Sequence, residues 1–169
     1  AGLLVDLAER GVRMDEHIDA MRALWTMDHP RYVGRIVRID GVNAFPRPVR
    51  SDGPPIVTGG VSAPARRRAI TKANGWYCFQ TTVELANEAI DVITSERQHV
   101  DRPDELGELE ITMTPVGPFD RGVREQYEAL GVDRLVFLPD ADAAAGHRHD
   151  PVPVDDILRT IDRLASTMT

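Results

Sequence analysis

Four consecutive residues, Gly59, Gly60, Val61 and Ser62, stand between the apolar run "PPIV" and an arginine-rich, alanine-spaced segment with the character of a helix. Glycine reaches positive φ and lets an oxyanion approach the main chain, Ser62 suits a helix N-cap, and Pro64 suits the first turn, where no amide hydrogen is missed. The free amides of such a turn, with a helix dipole behind them, attract phosphate. A sharp strand-to-helix turn needs the same glycines, and this local pattern leaves both readings open.

Other residues offer less. His147 and His149 lie two apart with Asp142 and Asp150 nearby, but they sit in a loop-like segment with no rigid spacing to align ligands, so no metal is expected. Arg66, Arg67 and Arg68 cannot share one helical face, so at most one or two could touch a phosphate. His17 and His99 have no companions, and His29 precedes Pro30 in a turn. Cys78 lacks a neighbouring His and reads as buried and inert. Trp76 and Tyr77 must point to opposite faces of a strand, with packing the expected role of each. No Ser-His-Asp arrangement is present, and no catalytic residue can be assigned.

The elements that would position the glycine turn follow from periodicity. Met14, Ile18, Met21 and Trp25 are spaced as one buried stripe on a helix from about Asp6 to Thr26, with Glu9, Arg10, Arg13 and Asp15 outside. "RYVGRIVRIDGV" reads as a hairpin turning at Asp40-Gly41, an excursion from the main sheet. Four β-then-α units come next. They are "IVTGG" with a helix from Ala63 to about Ala73, "GWYCF" with a helix from Thr82 to about Glu96, "LEITM" with a helix capped by Asp120 and closed by Gly131, and "DRLVFL". A last helix near Val154 to Ser166 turns Ile157, Leu158, Ile161 and Leu164 inward, after an exposed Ala/Asp/His/Pro-rich loop from Asp140. This alternation implies parallel strands with right-handed crossovers, either an open doubly wound α/β sheet or part of a (β/α)₈ barrel.

Composition bounds the function. A chain of 169 residues, 42% hydrophobic and 28% charged, has the length of a single domain. A net charge of -7 argues against nucleic acid as a partner, and no apolar run is long enough to span a bilayer. The lone cysteine fits a reducing compartment, with the cytoplasm as the expected location. Of the 20 basic residues only Lys72 is not arginine, a bias that points to a GC-rich genome.

The ordered set "MRALW", "GVNAFPRPV", "PPIVTGG", "RRRAITKANGW", "LEITM" and "LGVDRLVFLP" resembles the C-terminal half of the luciferase-like flavin- or deazaflavin-dependent oxidoreductases, from about Arg10 to Pro139. The resemblance implies a (β/α)₈ TIM barrel of which this chain supplies strands five to eight. It also implies that Gly59, Gly60, Val61 and Ser62 contact the phosphate of a flavin or deazaflavin cofactor, and the arginine-biased, GC-rich composition favours the deazaflavin (coenzyme F-420) over FMN. Asn74 departs from the family, which usually has Asp before the glycine. Members carry about as many residues again before this point, with much of the ring and substrate pocket. Two functions are therefore expected in competition. One is an oxidoreductase, or its cofactor-phosphate half, transferring hydride to or from a small-molecule substrate. The other is a non-catalytic half barrel that binds at most an anion. Either would leave strand edges that favour a homo-oligomer or a complementing N-terminal half.

Overall fold

β-Branched and aromatic residues alternate in facing along Gly75–Thr81 and Glu110–Pro115, and these two segments form the centre of the sheet. The computed structural model describes residues 6–138 and 154–168. Helix α1 (Arg10–Thr26), preceded by a 3₁₀ turn at Leu7–Glu9, leads into a two-stranded excursion, β1 (Tyr32–Val33) and β2 (Arg38–Ile39). The main unit follows as β3 (Val57–Gly59), α2 (Ala63–Lys72), β4 (Gly75–Thr81), α3 (Val83–Arg97), β5 (Glu110–Pro115), α4 (Arg121–Ala129), β6 (Arg134–Leu135) and α5 (Val154–Met168). Strand order is β3-β4-β5-β6, parallel throughout, as the β-then-α alternation predicts.

Register divides the side chains cleanly. Val57 pairs with Gly75, Gly59 with Tyr77 and Tyr77 with Thr112, so one face carries Val57, Tyr77, Thr112 and Thr114. The opposite face carries Trp76, Cys78, Ile111 and Met113, which pack with Ala69, Ile70, Ala86, Ile93 and Tyr127 of the helices. Trp76 is fully buried, and burial of a side chain of that area contributes on the order of 4 kcal/mol. Burial pushes the Cys78 thiol pKa up, away from thiolate chemistry. The other face is less apolar than a sheet lining a packed barrel would need. Tyr77 and Thr114 share a 2.6 Å hydrogen bond there, and Arg134 pairs with Glu110 at 3.1 Å, beside the exposed Val57 and Phe79.

Several expected details are corrected. The buried residues of α1 are Glu16, Ile18, Ala20 and Ala23, whereas Met14 is exposed, because the helix meets the β1–β2 excursion on one side and α2 on another. Asp15 is not an outer-face residue but pairs with Arg68 of α2 at 2.5 Å. The β1–β2 turn falls at Gly34–Val37, where the Gly34 amide donates to the Val37 carbonyl, and Asp40-Gly41 follows β2. "DRLVFL" contributes only Arg134 and Leu135 to the ladder. In α5, Leu158 and Ile161 are exposed, and Leu164 lines a crevice with Phe119 and Phe137. Thr82 caps α3, its hydroxyl accepting from the Leu85 amide. Asp142, His147, His149 and Asp150, weighed as metal ligands and set aside, lie outside the described residues.

Two charged side chains organise backbone that regular structure leaves unpaired. Glu16 accepts the amides of Arg35 at 2.9 Å, Ile36 at 2.7 Å and Val37 at 2.8 Å, and so clamps the excursion to α1. Gly34 is required beside it, since a Cβ there would lie 2.3 Å from the carboxylate. Arg102 donates to the carbonyls of Ile70 at 2.7 Å, Ala73 at 2.9 Å, Leu106 at 3.1 Å and Gly107 at 2.7 Å. It thereby closes the C-terminus of α2 against the turn that precedes β5, a cation at the negative end of a helix dipole.

Replacing Arg102 by Ala should cost on the order of 3 kcal/mol, because it orphans several carbonyls at once, and lower Tm by about 6–12 °C in a chain of this size. Arg102→Lys should recover less than half of that, lacking the planar fork. A calorimetric shift below about 2 °C for the alanine variant would remove Arg102 from this role. The three amide donors, the Val37 amide foremost, hold the Glu16 carboxyl below its ordinary pKa of 4.5. Its stabilising effect is therefore complete above that ordinary value and disappears as pH falls through the depressed one. The melting temperatures of the wild type and Glu16→Gln should differ at pH 7 and converge in strong acid, and equal gaps at both pH values would refute this.

Candidate functional site

β3 ends at the carboxyl edge of the sheet, where β/α enzymes place their ligands, and the glycine turn begins there. Gly60 takes φ +117°, and its amide donates to the Tyr77 carbonyl at 3.3 Å. Its own carbonyl accepts from the indole Nε1 of Trp76 at 2.9 Å. Both peptide groups around Gly60 are thus bound to β4. The Val61 carbonyl accepts from the Arg66 guanidinium, and the Ser62 carbonyl accepts from the Arg66 amide at 2.9 Å.

The donors of the turn are placed differently. Among the described residues no acceptor meets the amides of Val61, Ser62, Ala63 or Ala65. Ser62 occupies the N-cap position with extended backbone, yet its hydroxyl makes no capping bond, contrary to the cap expected from sequence. Hydroxyl and amides are left available at the positive end of α2.

A cleft of about 570 Å³ opens at this turn. Gly59, Gly60, Ser62, Pro64, Ala65 and Arg68 form one wall, and Leu7, Ala8, Arg10, Gly11 and Met14 form the other. Arg68 is held by Asp15 and the Gly11 carbonyl, which fixes the two walls relative to each other. Arg10 lines the cleft with no carboxylate partner among the described residues. Within the arginine run, Arg66 is committed to Glu96, with bonds of 2.8 and 2.5 Å that raise the pKa of the guanidinium and lower that of the carboxyl. Arg67 is exposed. Sequence reasoning missed Arg10 and the α1 wall, since nothing local to either segment signals that they meet.

Of the four residues expected at a phosphate, Gly59 and Gly60 shape the wall, and Val61 and Ser62 offer donors. Asn74, the departure from the family pattern, lies at the opposite edge of the sheet. Its Oδ1 accepts the Ile56 amide at 2.9 Å and its Nδ2 approaches the Leu106 carbonyl at 3.5 Å, a two-way role that a carboxylate could not fill. No cluster of His, Cys, Asp and Glu suited to a metal occurs among the described residues. Nor is any described helix long and apolar enough to cross a membrane.

A strand-turn-helix cradle at the carboxyl edge of a parallel β/α sheet is an arrangement of (β/α)₈ barrels, and here the chain's relatives agree. The sequence model of the luciferase-like monooxygenases matches residues 1–136, so the chain belongs to that family. Long-chain alkane monooxygenase (LadA) superposes with a TM-score of 0.53 at 16% identity, over 76% of this chain and 35% of that one. Riboflavin lyase (RcaE), solved with modified FMN and riboflavin, gives 0.53 at 13% identity, over 76% and 33%. A monooxygenase from Streptomyces bottropensis gives 0.51 at 17% identity, over 96% and 46%. These likenesses establish the fold as part of a luciferase-like barrel, and the chain spans between a third and a half of each of those structures. No curated protein matches the sequence significantly.

Gly60→Ala tests the turn itself. At φ +117° an L-residue is strained, and the new Cβ would lie 3.0 Å from that of Ala65, so a loss of about 1–3 kcal/mol is expected. Gly41→Ala, also at positive φ but with nothing within 4 Å, should cost less. A chemical-denaturation series in which the two variants are equally stable would show that the Gly60 turn is not tightly packed.

Proposed function

We propose that the β3–α2 cradle binds the phosphate of a flavin-type cofactor, and that this chain is the cofactor-phosphate portion of an oxidoreductase. The observation that supports this is the one-sided chemistry of the turn. Among the described residues the amides of Val61, Ser62, Ala63 and Ala65 face no acceptor and the Ser62 hydroxyl makes no capping bond, and Arg10 stands across the cleft. An anion there is met by a helix N-terminus and a cation together. Gly59 and Gly60 leave room for it, and the residues present fit the group.

When bound, such a cofactor supplies hydride transfer, and the protein contributes binding and orientation. Val61, Ser62 and Arg10 would hold the phosphate at the carboxyl edge of the sheet. Tyr77 and Phe79, in edge contact on the inward face with centroids 6.1 Å apart, offer apolar surface beyond it. The arginine-biased composition favours the deazaflavin coenzyme F-420 over FMN, and the same donors serve a phosphate mono- or diester. The organic substrate is a small molecule that enters from the same edge. We further propose a cytoplasmic location, and completion of the sheet by a second copy or by a polypeptide carrying the first four barrel strands.

A second reading, a half barrel that binds only an anion, draws on the polar pairs Tyr77–Thr114 and Arg134–Glu110, which occupy part of the inward face. Calorimetric titration separates the two. The cofactor reading expects FMN or F-420 to bind more tightly than inorganic phosphate, and riboflavin, which lacks the phosphate, at least tenfold more weakly than FMN, the equivalent of about 1.4 kcal/mol. Equal affinity for FMN and inorganic phosphate would favour the anion-only reading. Equal affinity for FMN and riboflavin would reject the cradle.

A further inference from the structure

The acceptors of the turn are as informative as its donors. Three successive carbonyls, those of Gly60, Val61 and Ser62, are each consumed: the first by the Trp76 indole, the second by the Arg66 guanidinium, the third by the Arg66 amide. The third bond is ordinary helix pairing. The first two come from side chains outside the turn's own backbone, and both are anchored. Trp76 is fully buried in the helix-facing core. Arg66 is clamped by both carboxylate oxygens of Glu96, thirty residues away on α3.

A peptide plane can rotate so that its carbonyl turns to where its neighbour's amide now stands, and a carbonyl in an anion site repels the ligand. With φ at +117° Gly60 has no steric barrier of its own against such a rotation. The bond from Trp76 pins the Gly60–Val61 peptide, and thereby the direction of the Val61 amide. The bond from Arg66 pins the Val61–Ser62 peptide, and thereby the Ser62 amide. Because Glu96 neutralises Arg66, that arginine adds little net charge to the cleft and acts through the backbone.

We propose that Trp76 and Arg66 are positioning residues of the cradle, which strip it of acceptors and so make it select anions. This rests on the reading that the cradle takes a phosphate. Neither residue touches the ligand. Each fixes one peptide plane, and the Arg66–Glu96 pair links the cradle to α3, a helix with no other part in it.

The test follows the amides of Val61 and Ser62 by nitrogen-15 NMR during titration with inorganic phosphate. In the wild type both should shift saturably. Trp76→Phe keeps most of the core volume while removing the indole donor and part of the ring, and its phosphate affinity should fall about tenfold, the worth of one hydrogen bond's orienting effect. Arg66→Gln, at the rim and able to fold where a core change might not, should lose affinity to a similar extent, and Arg66→Lys should recover part of it. Titration of the same variants with riboflavin should show no such loss, whereas general damage would weaken both ligands. Wild-type affinity for phosphate in Trp76→Phe and Arg66→Gln overturns the positioning role and leaves the cradle standing. Absence of saturable shifts in the wild type overturns the cradle and this inference with it.

Discussion

The placement of α2 depends on one half-buried cation. Arg102, in the return loop after α3, reaches the last carbonyls of α2 and those of the turn before β5 with a single guanidinium. Water could satisfy carbonyls at an exposed helix end, but this end is covered, and each unmet group would cost about 1–3 kcal/mol. A planar fork with five donors is suited to converging acceptors, and the burial that lowers its pKa leaves it charged. The C-terminus of α2 is fixed from below by Arg102. Its N-terminus is fixed from above by β4 and α3. A helix restrained at both ends can present a rigid anion cradle, and rigidity is what a binding site on a ten-residue helix needs most.

The order of elements was legible because it follows from local rules. Alternation of short apolar runs with helical periodicity gives parallel β/α units, and Thr82, Asp120 and Gly131 mark helix ends by chemistry confined to a few residues. The glycine turn was legible for the same reason. What failed were inferences that needed a partner. The stripe Met14, Ile18, Met21, Trp25 presumes one buried face, and α1 has contacts on two. Asp40-Gly41 is a good turn signal, yet the Glu16 carboxylate, more than twenty positions upstream, draws the bend back to Gly34–Val37. Arg68 and Arg102 act on backbone carbonyls distant in sequence, those of Gly11 and of Ile70 and Ala73, and a charged side chain bound to a far carbonyl leaves no periodic trace.

The inward sheet face shows a different constraint. A strand buried on both faces would be apolar throughout, yet Thr112 and Thr114 of β5 alternate with Ile111 and Met113. The hydroxyl and charged groups there meet one another, Tyr77 with Thr114 and Arg134 with Glu110, and their polarity is satisfied within the sheet. This face resembles the lining of a site more than the filling of a core.

Asn74 precedes Gly75, and an asparagine followed by glycine is chemically restless: the glycine nitrogen can close on the side-chain carbonyl and expel ammonia, giving a cyclic imide that water opens to aspartate or its β-linked isomer. In the folded chain the reacting groups are held apart from that course. The Gly75 amide donates to the Ile56 carbonyl at 3.1 Å, and Oδ1 of Asn74 is engaged by the Ile56 amide. Protection lasts as long as β3 and β4 stay paired. Every excursion into the unfolded state exposes the step, and the acid that forms there cannot offer Leu106 the hydrogen that Nδ2 provides. The molecule's age would thus be written at the foot of β4, as a slow clock that runs only when the sheet opens.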